Sequence, residues 1–87
     1  MATVILPRSL VVLFPGAERK VEVEGSTVAD VIGALDGHWP GVRDRLCESG
    51  SALREFINVY VDGSPANLAT PVAPGSTVHI LPAMAGG

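Results

Sequence analysis

The chain has 87 residues and a formal net charge of −3, with six Lys and Arg against nine Asp and Glu. That length is enough for one small domain, which buries only a little over roughly 60% of its unfolded surface and has no room for a deep private active site. The basic residues are scattered as Arg8, Arg19, Lys20, Arg43, Arg45 and Arg54, so no stripe tracks phosphates and nucleic acid is not an expected partner; the longest apolar run, LVVLF, is far short of the roughly 18 residues of a membrane span.

The first ten residues, MATVILPRSL, show no basic leader or small-residue cleavage site, so no export signal is expected and the cytoplasm is the expected compartment. Thr3 to Leu6 read as a first strand. In RKVEVE, Val21 and Val23 alternate with Lys20, Glu22 and Glu24, which predicts a second strand. The intervening PRSLVVLFPGAE is expected to turn the chain, with Pro15-Gly16 its strongest turn signal. Next, GSTVADVIGALDG places Val28, Val31, Ile32 and Leu35 at helical spacing, with Ser26 or Thr27 as cap, Asp30 in a capping-box position and Gly37 as the stop. A second, short helix is expected from about Gly41 to Cys47, with Pro40 at its first turn and Val42 and Leu46 turned inward.

The chain returns to strand in EFINVYVDG, where Ile57, Val59 and Val61 alternate with Phe56, Asn58 and Tyr60, and Asp62-Gly63 makes a turn. The proline-rich SPANLATPVAPGS reads as a loop, with a further turn at Pro74-Gly75. In TVHILP, Val78 and Ile80 face one way and Thr77, His79 and Leu81 the other; Pro82, lacking an N–H, is expected to stop the ladder. One helix laid across a mixed sheet buries these faces most economically, with the first and last strands as neighbours. The expected organisation is one domain over residues 1–82 and a flexible tail over residues 83–87.

The tail, Ala83, Met84, Ala85, Gly86 and Gly87, carries no charged side chain. Six residues counted from Pro82, extended at about 3.3 Å each, reach roughly 20 Å, enough to deliver a terminal carboxylate into another protein's cleft. Glycine at the last two positions keeps the thread narrow and its backbone free. A bare carboxylate is unreactive, but an acyl-adenylate made with ATP lets a sulfur donor displace AMP and leave a thiocarboxylate. A lysine or cysteine displacing AMP would instead make the chain a protein tag.

These residues resemble the ubiquitin-like, or β-grasp, sulfur carriers of the MoaD/ThiS family. The likeness spans nearly the whole chain in element order and is most specific in REFINVYVDG and GSTVHILPAMAGG, which look closest to carriers that feed cysteine synthesis. The resemblance implies an α+β, β-grasp fold with a mixed four- to five-stranded sheet, one main helix and a flexible tail. It makes Gly87 the thiocarboxylate bearer and Gly86, Ala85, Met84, Ala83 and Pro82 the segment a partner grips. It implies a protein co-substrate rather than an enzyme, binding no cofactor itself while ATP is consumed by a ubiquitin-activating-like adenylyltransferase and sulfurtransferase. Further partners would be a pyridoxal-phosphate cysteine synthase and a metalloprotease, or, on the alternative reading as the small subunit of molybdopterin synthase, that enzyme's large subunit. A ubiquitin-like protein modifier is a further alternative.

The remaining distinctive residues carry plainer expectations. Phe56 and Tyr60 share a strand face that, left open by the helix, would offer an aromatic pair to a partner. His79 is expected to be a half-buried or exposed sheet residue, and Trp39 a plug at a helix end. Cys47, the single cysteine, is expected to pack; with only His38 and His79 available it makes a poor metal site. Glu18, Glu22, Glu24, Asp44 and Glu48 are expected on a solvated surface.

Overall fold

The computed structural model describes residues 1–48 and 52–82. Among them are five strands, β1 (Ala2–Ile5), β2 (Lys20–Val23), β3 (Ile57–Val61), β4 (Ser64–Ala66) and β5 (Thr77–Pro82), and three helices, α1 (Arg8–Val11), α2 (Val28–His38) and α3 (Val42–Leu46). The strands form one mixed sheet in the order β2-β1-β5-β3-β4. β5 lies in the middle, parallel to β1 and antiparallel to β3, so the first and last strands are neighbours as expected.

Period-two alternation decides which face is covered. Val4, Val59, Val78 and Ile80 are buried on one side together with Val28, Val31, Ile32 and Leu35 of α2. Each such side chain contributes about 1.5–3 kcal/mol when removed from water. α2 starts at Thr27, whose side-chain oxygen accepts from the Asp30 N–H at 3.2 Å. The Asp30 carboxylate in turn accepts from the Ser26 N–H and hydroxyl, so the predicted capping box forms with its return bonds reaching one residue before the cap. These Ser26 bonds, the hydroxyl's foremost, hold the Asp30 carboxyl below its usual range. Two further N–H groups of the first turn, those of Val28 and Ala29, donate to Thr70 and Leu68 carbonyls, so the proline-rich loop satisfies donors that the helix leaves open.

Several local expectations change. The segment after β1 is not a plain turn: Pro7 starts α1, whose Leu10 is buried, because the LVVLF run can bury one side by winding once against α3. Gly37 does not stop α2, which runs on to His38 with Trp39 as its C-cap. Pro40 lies outside α3; the cap is Gly41 at φ 104, and Asp36 Oδ1 accepts from the N–H groups of both Gly41 and Arg43, tying α3 to α2. The loop read after Asp62-Gly63 begins with β4, which pairs Tyr60 with Pro65 and makes a hairpin. Asp62 and Gly63 both have positive φ, 50 and 86, as a two-residue hairpin turn of this hand requires. Pro65 is compatible with a strand because β4 is the sheet edge.

Pro82 does not end the ladder either; it lies in β5 opposite Ile57. The Asp62 N–H donates to the Thr77 carbonyl, which sets the phase of the β3–β5 ladder. Five steps along, the Ile57–Pro82 pair falls on the non-hydrogen-bonded phase, where the missing proline N–H leaves no partner unsatisfied.

Candidate functional site

β5 is held on both sides by β1 and β3, so it is the least free strand of the sheet, and its last residue, Pro82, is set in place by its pairing with β3. Pro82 is also the last described residue, and it is exposed. Ala83, Met84, Ala85, Gly86 and Gly87, named above as the threaded tail and its reactive end, lie outside the described residues.

Around Pro82 the structure gathers most of the large apolar side chains that remain in water. Val12 is 73%, Phe56 56%, Leu13 47% and Leu81 43% exposed, and all four flank the end of the sheet from which the chain departs; Met1, 64% exposed, lies at the opposite end beside Gly75. Phe56, exposed as the sequence reading expected, precedes the Ile57–Pro82 pair in the chain. Tyr60 is not beside it. Four residues further along β3, about 13 Å at strand rise, Tyr60 is half-buried and stands opposite His79.

His79 belongs to a row that crosses the sheet in register, Lys20, Ile5, His79, Tyr60 and Pro65, on the face that α2 leaves open. It is half-buried there, a sheet residue as expected. Trp39 is half-buried at the end of α2, its ring 5.7 Å from that of His38. Cys47 is buried; burial pushes its thiol pKa up, against the smaller opposing pull of Arg43 and Arg54. Among the described residues no cluster of three or more His, Cys, Asp and Glu could hold a metal ion, and no helix is long and apolar enough to cross a membrane.

On the helix side of Pro82 lies a groove that the sequence argument did not anticipate. Its volume is about 180 Å³, and Leu10 and Leu13 from the α1 turn, Leu46 from α3, Ile57 and Pro82 line it, with Arg45 at its edge. The signal was present in LVVLF, since one helical turn cannot bury five consecutive apolar residues and must leave some in solvent. The larger clefts elsewhere are more polar; one, of about 380 Å³, lies between β2 and Trp39 and is lined by Glu18, Lys20 and Glu22.

The family model described as "ThiS family" matches residues 9–87. Sulfur carrier protein CysO of Mycobacterium tuberculosis is 37% identical over 78 residues, which cover 83% of this chain and 84% of that protein. Small archaeal modifier protein 1 of Haloferax volcanii is 33% identical over 69 residues, covering 78% and 79%. Among solved structures, a chain of the Amycolatopsis orientalis BexX/CysO complex superposes with a TM-score of 0.87 at 35% identity over the full length of both chains. Mycobacterium tuberculosis CysO superposes with a TM-score of 0.85 at 32% identity, over 97% of this chain and all of that one. The family match takes in α2, β2 to β5 and the tail sequence alike, and the chain belongs to the ThiS family of β-grasp sulfur carriers.

Proposed function

We propose that this protein carries sulfur as a thiocarboxylate on Gly87 and donates it for cysteine biosynthesis. The observation that supports this most directly is the position of β5: the strand clamped at the centre of the sheet leads straight to an exposed Pro82, after which the sequence holds five residues without a charged side chain. The 37% identity to CysO supports cysteine as the destination of the sulfur.

The chemistry begins with a ubiquitin-activating-like enzyme that joins the Gly87 carboxylate to the α-phosphate of ATP and releases pyrophosphate. A persulfide sulfur then attacks the acyl carbon, and AMP leaves. A thiol splits the resulting acyl disulfide, so that the thiocarboxylate stays on Gly87 and the two thiol sulfurs end as a disulfide. A pyridoxal-phosphate cysteine synthase holding an aminoacrylate receives the sulfur, and a metalloprotease frees the cysteine. The carrier acts in the cytoplasm as a co-substrate, binds no cofactor, and supplies only the positioned acyl group.

The test is the intact mass of the protein after incubation with ATP, a persulfide source and the activating enzyme of its host. A shift equal to one oxygen replaced by one sulfur, absent when Gly87 is deleted, is the expected result. No shift with an enzyme that adenylates its other substrates would overturn the carrier reading.

The identity to small archaeal modifier protein 1 favours one second reading, conjugation of Gly87 to lysines of other proteins. It is distinguished by adducts that survive thiol reductants and disappear on deletion of Gly87.

A further inference from the structure

The apolar groove beside Pro82 lies on the side of the sheet opposite Phe56 and Tyr60. Leu13, nearly half exposed, lines its outer side, while the buried Leu10 and Leu46 line it from within. The Arg45 guanidinium stands at the edge, and Arg8 is exposed one residue beyond Pro7, which also lines the groove. Arg45 is the one charged residue among those that line the groove.

We infer that this groove is the docking site for the activating enzyme, which seats an aliphatic side chain between Leu13 and Ile57 and sets an adjacent carboxylate against Arg45. The inference rests on the carrier reading and names its partner surface. Pro82 lines both the groove and the start of the tail, so any protein that takes the tail lengthwise must press against the surface around Pro82. The activating enzyme is the first to do so, because the carboxylate has no reactivity before adenylation. An aliphatic group fits a volume of about 180 Å³, somewhat larger than an engineered cavity of ~150 Å³ that accepts benzene, and its removal from water is favourable. Arg45 supplies direction, since a guanidinium holds a carboxylate in a defined plane and steers its approach. The groove and the Phe56–Leu81 side then flank Pro82 on the two faces of the sheet, and the enzyme contacts both.

The experiment measures binding of the host activating enzyme to the full chain and to the variants L13S and R45E, with E22Q on the far sheet edge as control. Thermal melting of each variant checks that it folds; Leu13 and Arg45 both reach solvent, so neither truncates the core. A rise in Kd of about tenfold in each variant is expected, with E22Q unchanged. ATP–pyrophosphate exchange at saturating carrier should keep its kcat while KM rises, because the groove holds the carrier and takes no part in bond making. Kd unchanged within about twofold in both folded variants would overturn the inference. Self-association of the wild type that L13S abolishes would overturn it too, in favour of a second copy as the occupant. Failure of the carrier reading itself is separate: it appears as wild-type protein that binds the enzyme through the groove yet gives no exchange.

Discussion

Asp62 and Thr77 hold each other by two opposed hydrogen bonds. The Asp62 N–H donates to the Thr77 carbonyl and the Thr77 N–H donates to Asp62 Oδ1, each at 2.9 Å. The side chain of a turn residue at φ 50 thus completes the first rung of the β3–β5 ladder. These bonds, the Thr77 N–H first and a Ser76 side-chain bond second, hold the Asp62 carboxyl below its usual range. A carboxylate whose folded pKa is depressed adds stability that is present above its unfolded value, near 3.8, and lost as pH falls through the lower folded value. Asp62→Asn should therefore flatten the acid limb of the stability curve below about pH 4 relative to the wild type, as read by urea midpoints across pH. Asp30, also depressed, contributes in the same direction and gives the double variant D30N/D62N a still flatter limb.

Two glycines separate by sign. A Cβ on Gly33, exposed on α2, meets nothing within 4 Å, so Gly33→Ala should stabilise the protein by about 0.5–1 kcal/mol through helix propensity. A Cβ on Gly25 would lie 2.9 Å from both the Val31 backbone nitrogen and its Cγ2, and Gly25→Ala should destabilise by roughly 1–3 kcal/mol. Differential scanning calorimetry would show one melting temperature rising and the other falling.

The anchoring of α2 divides into a cap and a core term. Thr27→Ala removes the acceptor for the Asp30 N–H and should lower stability by about 1 kcal/mol. Leu35, 0% exposed under the helix, should lose about 2–5 kcal/mol on truncation to Ala. Chemical denaturation in urea would rank the two, and a larger effect at Thr27 would contradict this account of the fold.

Phe56 and Tyr60 should differ in kind. Phe56→Ala removes an exposed ring beside Pro82 and is expected to leave stability within about 0.5 kcal/mol while raising the KM of the activating enzyme for the carrier. Tyr60→Ala opens a gap beside His79 in the middle of the sheet, and its main effect is expected on melting temperature.

Cys47 should behave as a packing residue. Its raised thiol pKa and burial predict alkylation at pH 8 at least about tenfold slower in the native protein than in the urea-unfolded chain. Equal rates would mean that the end of α3 opens far more readily than the burial of Leu46 and Cys47 implies.

Much of this architecture was legible in one dimension, because its signals are local. Alternation placed β1, β2, β3 and β5 to within a residue or two of their observed limits, and the spacing of Val28, Val31, Ile32 and Leu35 identified the helix that covers them. Three-dimensional context was needed wherever a local rule had an exception. Pro65 and Pro82 argue against strands in isolation; an edge position admits the first and the non-bonded phase of an antiparallel ladder admits the second. Gly37 reads as a stop, yet α2 continues to His38, and Asp36 then binds the turn into α3.

The same division holds for function. The sequence by itself determined the family resemblance, the uncharged tail and the shared strand face of Phe56 and Tyr60, since those depend on residue identity and order along a strand. Only the tertiary structure decided that Tyr60 stands apart from Phe56, and that Leu13, Arg45 and Ile57, from three separate segments, line one groove with Pro82. Proximity between distant segments is set by how β1, α3 and β3 pack around the central strand, and no periodicity within a segment encodes that distance.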